Sequence, residues 1–476
     1  MPAARPSTPA RYSLPAPPVW NCCSIQLLPN LGWTPLSSVR GDVRIDARTL
    51  QEALASADPV PETDHPGYTI GDATPLAAVR PKTIDGVATA LTAATRLGAA
   101  VVPWGGGTRM GLGNPPSRYD LALDMRGLSS VVEHRPEDLV VTVEAGCTMQ
   151  ALQDVLRDSG QYLPLDPPLP AQATVGGLLA TGISGPLSTA VGTPRDQVIG
   201  MRAVLADGSI VKNGGIVVKN VTGYAMDRLY IGAMGTLAVI AEATFKVTPL
   251  PRAEATVVAT FSSMNAATTV CNVVTAQGLP LMAAEVLNGA AWSQVGQSDD
   301  GNGDYTLLLR VAGRPSAVAR SIDACVAACR ETGVANVESL NDDASVSLWK
   351  KVTDLGWESG PPDLALRLLG TPAHSAELVA LAAQESDAAV SVSPTRGVVK
   401  AYWNSDALPP DVHAYIAGLR EAVTALNGTV VVESRSRLDG VDAWGPTPDS
   451  FAVMRQLKEQ YDPHGILNPG RYVGGL

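Results

Sequence analysis

Three adjacent glycines followed by a hydroxyl and a cation can gather an anion. Val101-Val102-Pro103-Trp104-Gly105-Gly106-Gly107-Thr108-Arg109-Met110-Gly111 presents that order after an apolar run. Glycine reaches positive φ cheaply and has no Cβ, so successive N–H groups can converge on a phosphate. The same residues also read as a mobile linker, since glycine clusters mark loops. Two familiar phosphate loops do not fit. A Walker loop needs a lysine after the glycines, and none follows. The dinucleotide fingerprint needs G-x-G-x-x-G running into a helix. Here the spacing from Gly105 is G-x-G-x-x-x-G, and Gly111-Leu112-Gly113-Asn114-Pro115-Pro116 bars a helix directly after it. Asp124 stands where a ribose-binding acid would fall, without the helix that would aim it. A second stretch, Ala173-Thr174-Val175-Gly176-Gly177-Leu178-Leu179-Ala180-Thr181-Gly182, is small enough for a helix to press its backbone on a flat ligand or on another helix.

The elements that position these residues follow from spacing. Thr83 can cap a helix whose Val87, Leu91, Ala94 and Leu97 repeat at helical intervals before Gly98 stops it. Ala99 to Pro103 then reads as a strand delivering the glycine loop at a sheet edge. Short strands follow at Leu121–Met125, Ser130–His134 and Leu139–Glu144, then a helix capped by Thr148. Beyond residue 251, strands at Ala255–Phe261, Met282–Leu287, Tyr305–Val311, Leu364–Leu369, Val398–Tyr402 and Gly428–Glu433 alternate with helices near Ala266–Gln277, Ser316–Glu331 and Val412–Leu426. That alternation predicts an antiparallel sheet with helices on one face.

The 476 residues allow two or three domains, and 45% hydrophobic against 17% charged residues is globular. A net charge of −11 argues against nucleic acid or an anionic membrane as partner. No apolar run approaches the roughly 20 residues of a spanning helix. The six cysteines form no C-x-x-C pair, so neither zinc nor an iron–sulfur cluster is indicated. Residues 1–41, rich in Pro, Ala and Ser, are expected to be a disordered extension, and 42–70 a lead-in.

Several collinear motifs resemble one family. They are Pro81-Lys82-Thr83, the glycine loop, Ala173-Thr174-Val175-Gly176-Gly177, Asp196 with Gly200, Ala206-Asp207-Gly208, Lys219-Asn220-Val221-Thr222-Gly223-Tyr224 and Gly235-Thr236-Leu237. With the closing Tyr461-Asp462-Pro463-His464-Gly465-Ile466-Leu467-Asn468-Pro469-Gly470-Arg471, they resemble the FAD-binding flavoproteins of the vanillyl-alcohol-oxidase (PCMH) type. Within these the chain looks most like the FAD-binding E subunit of glycolate oxidase.

The resemblance implies an α+β chain: a two-subdomain PCMH-type FAD-binding domain over 71–251, an α+β cap domain with an antiparallel sheet over 252–445, and a segment 446–476 returning to the flavin domain. Pro103, Trp104, Gly105, Gly106, Gly107, Thr108 and Arg109 would cradle the pyrophosphate. Thr174, Val175, Gly176, Gly177, Thr181, Gly182 and Ser184 would line the cofactor. Gly235, Thr236, Val239, Ile240 and Asn468 would approach it from the other side. FAD is expected to bind noncovalently, because Thr108 and Arg109 stand where relatives carry a linking histidine, and neither His134 nor His464 looks placed to bond the ring. A small 2-hydroxy acid needs a cation for its carboxylate, and Arg367 and Arg310 both interrupt apolar cap strands, with Lys400 and Arg435 weaker candidates. The base is missing: Ser393-Pro394-Thr395-Arg396-Gly397-Val398 lacks the histidines of larger catalytic relatives, and His374 is the one alternative.

The expected activity is oxidation of glycolate to glyoxylate by a cytoplasmic complex, with electrons passed from this flavin subunit to a larger FAD subunit and an iron–sulfur subunit, through which it would meet the membrane. A self-sufficient D-lactate or 2-hydroxy-acid dehydrogenase, a non-catalytic flavin subunit and a cell-wall nucleotide-sugar reductase are the alternatives. The missing histidine motif favours a subunit that needs its partner.

Overall fold

A computed structural model of the chain describes residues 45–216, 224–296, 304–334, 336–384, 387–404, 407–435 and 440–476. The expected extension over 1–41 and the motif residues 219–223 lie outside the described residues.

Thr83 accepts a hydrogen bond from Gly86 N and opens helix Ile84–Leu97, which Gly98 ends at φ 69°. The helix buries Val87, Leu91 and Ala94 in a core shared with a three-stranded parallel sheet, Ala77–Val79, Leu121–Asp124 and Val101–Trp104. The outer strand of that sheet delivers the glycine loop. Its far edge is completed by the closing segment: Val101 N donates to Ile466 O and Asn468 N donates to Val101 O. A five-stranded antiparallel sheet follows, ordered Val131–Arg135, Val140–Glu144, Val239–Lys246, Val198–Val204, Ile210–Gly214. Helix Met149–Asp158, capped by Thr148, and helix Val175–Thr181, capped by Thr174, share its core.

The third sheet has eight strands, all antiparallel, in the order Asn336–Asn341, Ala253–Phe261, Tyr305–Gly313, Leu281–Asn288, Ala389–Ser393, Val398–Trp403, Leu364–Leu369, Thr429–Arg435. Because side chains alternate along a strand, Val257, Leu309, Leu366, Val399 and Val432 share one apolar face. Helices Met264–Ala276, Pro315–Glu331, Ser375–Ala383 and Val412–Ala425 cover it. The opposite face carries Glu254, Arg310, Glu285, Ser391, Lys400, Arg367 and Glu433 in adjoining registers. The expectation of helices on one face needs a correction. Helix Asp342–Asp354 lies on the polar side and buries Leu348, Trp349 and Val352 against Val258, Leu308 and Ala365. Among the described residues no helix is long and apolar enough to cross a membrane.

Candidate cofactor and active site

Trp104 anchors the start of the glycine loop. Its Nε1 donates to Tyr119 Oη at 2.6 Å, and its ring meets Tyr68 edge-on at 5.3 Å. The next five amides, Gly105 to Arg109, have no protein acceptor among the described residues. The glycines are required by proximity as well as by anion binding. A Cβ on Gly106 would lie 1.7 Å from Gln172 O, and one on Gly105 would lie 2.2 Å from Thr174 Oγ1. Gly107 has φ 78°. The loop is thus pressed onto the segment that leads into helix Val175–Thr181.

Those amides edge a cleft with about 710 Å³ between its walls, open solvent included. Pro103, Gly105, Gly106, Gly107, Thr108, Arg109, Thr174, Gly177, Thr181, Gly235 and Asn468 all line it, so the structure brings these expected residues together. Asn468 turns to φ 46° so that Nδ2 reaches Met234 O, which leaves its Oδ1 buried without a partner. The remaining expected cofactor residues lie elsewhere. Trp104 walls a second cleft behind the loop, with Trp357 and Arg126. Val175 is core, and Gly176 is small because a Cβ would crowd Ala145 at 2.8 Å. Gly182 is the helix stop, 3.2 Å from Gly232 by the same test. Ser184 turns its carbonyl to Lys400. Thr236 is buried, with its hydroxyl donating to Ala233 O. Val239 and Ile240 fill two hydrophobic cores. In Val175, Gly176, Gly182, Val239 and Ile240, tight packing accounts for the small or apolar residue. Pro167, Pro168, Met234 and Arg471 are lining residues that sequence reasoning missed. Arg471 is buried and donates to Met110 O and Leu112 O, and burial pushes its guanidinium down to about 10.

Cations gather where the large sheet meets the loop. Arg109 reaches off the loop with its guanidinium 3.4 Å from the centre of the Trp357 ring and 3.9 Å from Glu433. Arg367 approaches the same carboxylate at 2.9 Å. Desolvation raises the Glu433 carboxyl, but Arg367, Arg109 and Lys400 outweigh it and hold it below the ordinary range. Arg310 does not join them. It forms a bidentate pair with Glu254, which also accepts from Ser345, so its charge is spent holding helix Asp342–Asp354 to the sheet. The expectation that Arg310 binds substrate is therefore corrected. Arg435 donates to Gly113 O and Val441 O.

Asp166, just before the lining prolines, accepts from Leu187 N at 2.9 Å. Burial raises its carboxyl to about 7, against the pull of that N–H and of Lys400. The folded chain thus keeps a proton that the unfolded chain has released above about 4, so this group's contribution is full below pH 4 and lost as pH rises through 7. The expected slope is at most about 1.4 kcal/mol per pH unit in that window. Asp166→Asn should flatten it, so denaturant unfolding from pH 5 to 8 should show the variant gaining on the wild type. Parallel curves would count against the assignment.

No histidine lines the cleft: His65 faces Val60 O, His134 pairs with Gln161, His374 with Thr371, and His413 and His464 lie on a distant helix and in the closing turn. Acid precipitation should therefore leave the flavin's colour in the supernatant. A yellow pellet would reveal a covalent bond.

Five free amides and glycines that admit no side chain fit a dinucleotide diphosphate lying along the loop, and the orphaned Asn468 Oδ1 can take a hydrogen bond from a donor on the same cofactor. Comparisons with known proteins agree. Residues 75–214 match the family of FAD binding domains, and residues 250–366 and 445–472 match the C-terminal domain of FAD linked oxidases. The chain is 25% identical over 428 residues to glycolate oxidase subunit GlcD of Bacillus subtilis, covering 83% of this chain and 88% of that one. It is 37% identical over 150 residues to glycolate oxidase subunit GlcE of Escherichia coli, covering 31% and 42%. A probable mitochondrial D-lactate dehydrogenase of Danio rerio is 26% identical over 432 residues, covering 84% of each. In fold, a crystal structure of p-cresol methylhydroxylase with substrate bound superposes with a TM-score of 0.70 at 16% identity, covering 89% of this chain and 95% of that one. The chain therefore belongs to the FAD-linked oxidases, oxidoreductases of the PCMH-type fold whose cofactor is FAD.

Proposed function

We propose that the chain is the FAD-binding subunit of a glycolate-oxidase-type complex, oxidising a small 2-hydroxy acid, glycolate to glyoxylate, and passing electrons to a partner. Residues 71–251 with 446–476 would be the flavin domain and 252–445 the cap. The observation that carries this reading is the half-buried pair of guanidinium groups Arg109 and Arg367, with Glu433 the one carboxylate in ion-pair contact with them among the described residues. Such an excess of positive charge in a dry interface suits a carboxylate ligand. Arg367 would hold the substrate carboxylate, Arg109 would keep Glu433 from neutralising Arg367 completely, and Trp357 and Tyr402 would keep water out. FAD supplies the acceptor for the electron pair leaving the CH–OH carbon. The relatives named for glycolate and D-lactate support the substrate class.

A partner is supported by what the chain would lack after that step. No C-x-x-C pair occurs in the sequence, and among the described residues no group of three His, Cys, Asp or Glu could hold a metal. Electrons would leave through another subunit; a larger FAD subunit and an iron–sulfur subunit are the proposed recipients. The test is anaerobic addition of glycolate, and separately D-lactate, to the flavin-loaded chain. The expected result is one round of loss of flavin absorbance, with sustained turnover only when partner subunits are added. Full flavin loading with no absorbance change for either acid would mean that this flavin never meets substrate, leaving the non-catalytic subunit.

A further inference from the structure

The cleft contains no histidine to take the proton of a substrate hydroxyl, yet the polar face of the large sheet offers another group. Lys400 stands directly across from Arg367 on the neighbouring strand, so the two side chains rise from the same face about 5 Å apart at their Cβ atoms. A 2-hydroxy acid carries its carboxylate and its hydroxyl on adjacent carbons, which matches a cation and a proton acceptor in adjoining registers. Lys400 is mostly buried, and among the described residues its Nζ has one partner, the carbonyl of Ser184 at 3.4 Å. No carboxylate lies within ion-pair distance of it among those residues. Ser184 follows Ile183, which lines the cofactor cleft, so the carbonyl that holds the amine is one residue from the cleft wall.

We propose that Lys400, as the neutral amine, accepts the hydroxyl proton of the substrate. This rests on the reading of the chain as a 2-hydroxy-acid oxidoreductase. In the step, the O–H bond breaks toward Nζ to give the ammonium, the C–H bond releases its hydrogen with both electrons to FAD, and the carbon–oxygen double bond forms. The ammonium then returns its proton to water. Several charged groups face the amine: Arg367 from one adjoining strand, Glu433 from the strand beyond it, Glu285 on the other side, Arg109 from the glycine loop and Asp166 from the segment before the lining prolines. Burial dominates and pulls the amine below the ordinary lysine range. Arg109 adds to that shift, while Glu285, Glu433 and Asp166 oppose it.

The test compares Lys400→Met, Lys400→Arg and Lys400→His in flavin-loaded protein, each checked for flavin content. The wild-type rate of anaerobic flavin reduction should rise with pH along a single ionisation. Lys400→Met and Lys400→Arg should lose that limb and slow reduction by roughly a hundredfold or more, the usual worth of a positioned base. Lys400→His should recover part of the rate, with its limb moved to lower pH. Wild-type rates and pH profile in Lys400→Arg would overturn the proposal. A second readout needs no turnover: in protein reductively methylated with 13C, the lysine resonance absent from Lys400→Arg should titrate below the ordinary lysine range, with and without flavin. Titration in the ordinary lysine range would overturn the proposal even if no 2-hydroxy acid reduced the flavin. Failure of every acid together with a low-titrating Lys400 would instead sink the substrate reading alone.

Discussion

Gly106→Ala should leave the chain almost colourless. The added Cβ would stand 1.7 Å from Gln172 O and 2.7 Å from Gln172 C. Backbone atoms cannot swing aside as a side-chain tip can. The turn that presents that carbonyl is held by Gln172 N and Ala173 N, both donating to Leu169 O, and Leu169 N is bound in turn to Asp354. The loop must therefore lift, and the five amides from Gly105 to Arg109 move with it. Overpacking of this kind costs about 1–3 kcal/mol of stability, and the larger effect falls on cofactor affinity, where several charge-assisted hydrogen bonds are lost together. Gly67→Ala is the control. Gly67 lines the cleft behind the loop, but its Cβ would meet nothing within 4 Å, so flavin content and melting temperature should match the wild type. Wild-type flavin occupancy in Gly106→Ala would mean that the loop is only a linker.

Lys458→Met should be the most destabilising single change near the site. Lys458 is 8% exposed, and its Nζ donates to Asp462 at 2.6 Å, Leu467 O at 2.7 Å and Thr236 O at 2.8 Å. Asp462 in turn accepts from Ile466 N and Leu467 N. One ammonium thereby joins the closing turn to the Gly235-Thr236 wall of the cleft. Methionine matches the stem but strands a buried carboxylate and two carbonyls, a loss of about 3–5 kcal/mol. That is a large part of a domain's total stability. Denaturant midpoints at unchanged slope would measure it, and flavin should dissociate more readily because Asn468 hangs on the same turn. A change below about 1 kcal/mol would show the network to be dispensable.

Much of this was legible in the residues. Thr83 and Thr148 sit at helix starts because a side-chain oxygen can satisfy a free amide there, and both cap as their positions predict; Thr174, expected only beside the cofactor, caps a helix as well. The glycine loop was legible because no other residue type tolerates its surroundings. What stayed hidden shares one cause: local pattern does not say which partner a group will meet. Arg310 and Arg367 both interrupt an apolar strand, but one meets Glu254 and helix Asp342–Asp354, and the other meets Glu433, which Arg109 of the loop also approaches. Nothing in the local pattern around Lys458 marks it as buried, and it is. Strand Asn336–Asn341 is a largely exposed edge with little apolar alternation, and strand Ala389–Ser393 is buried on both faces yet carries two serines. Val239 and Ile240 were placed by resemblance beside the cofactor, although an alternating strand flanked by two cores buries both.

The closing segment's return to strand Val101–Trp104 also sets a schedule. A ribosome adds roughly 5–20 residues per second, so more than 360 residues separate the synthesis of Val101 from that of its edge partners Ile466 and Asn468. Throughout that interval the glycine loop can exist while its sheet edge stays open and Lys458 has not been made. The eight-stranded sheet, whose strands end at Arg435, can form first. The cofactor site is therefore completed only after the eight-stranded sheet has been made.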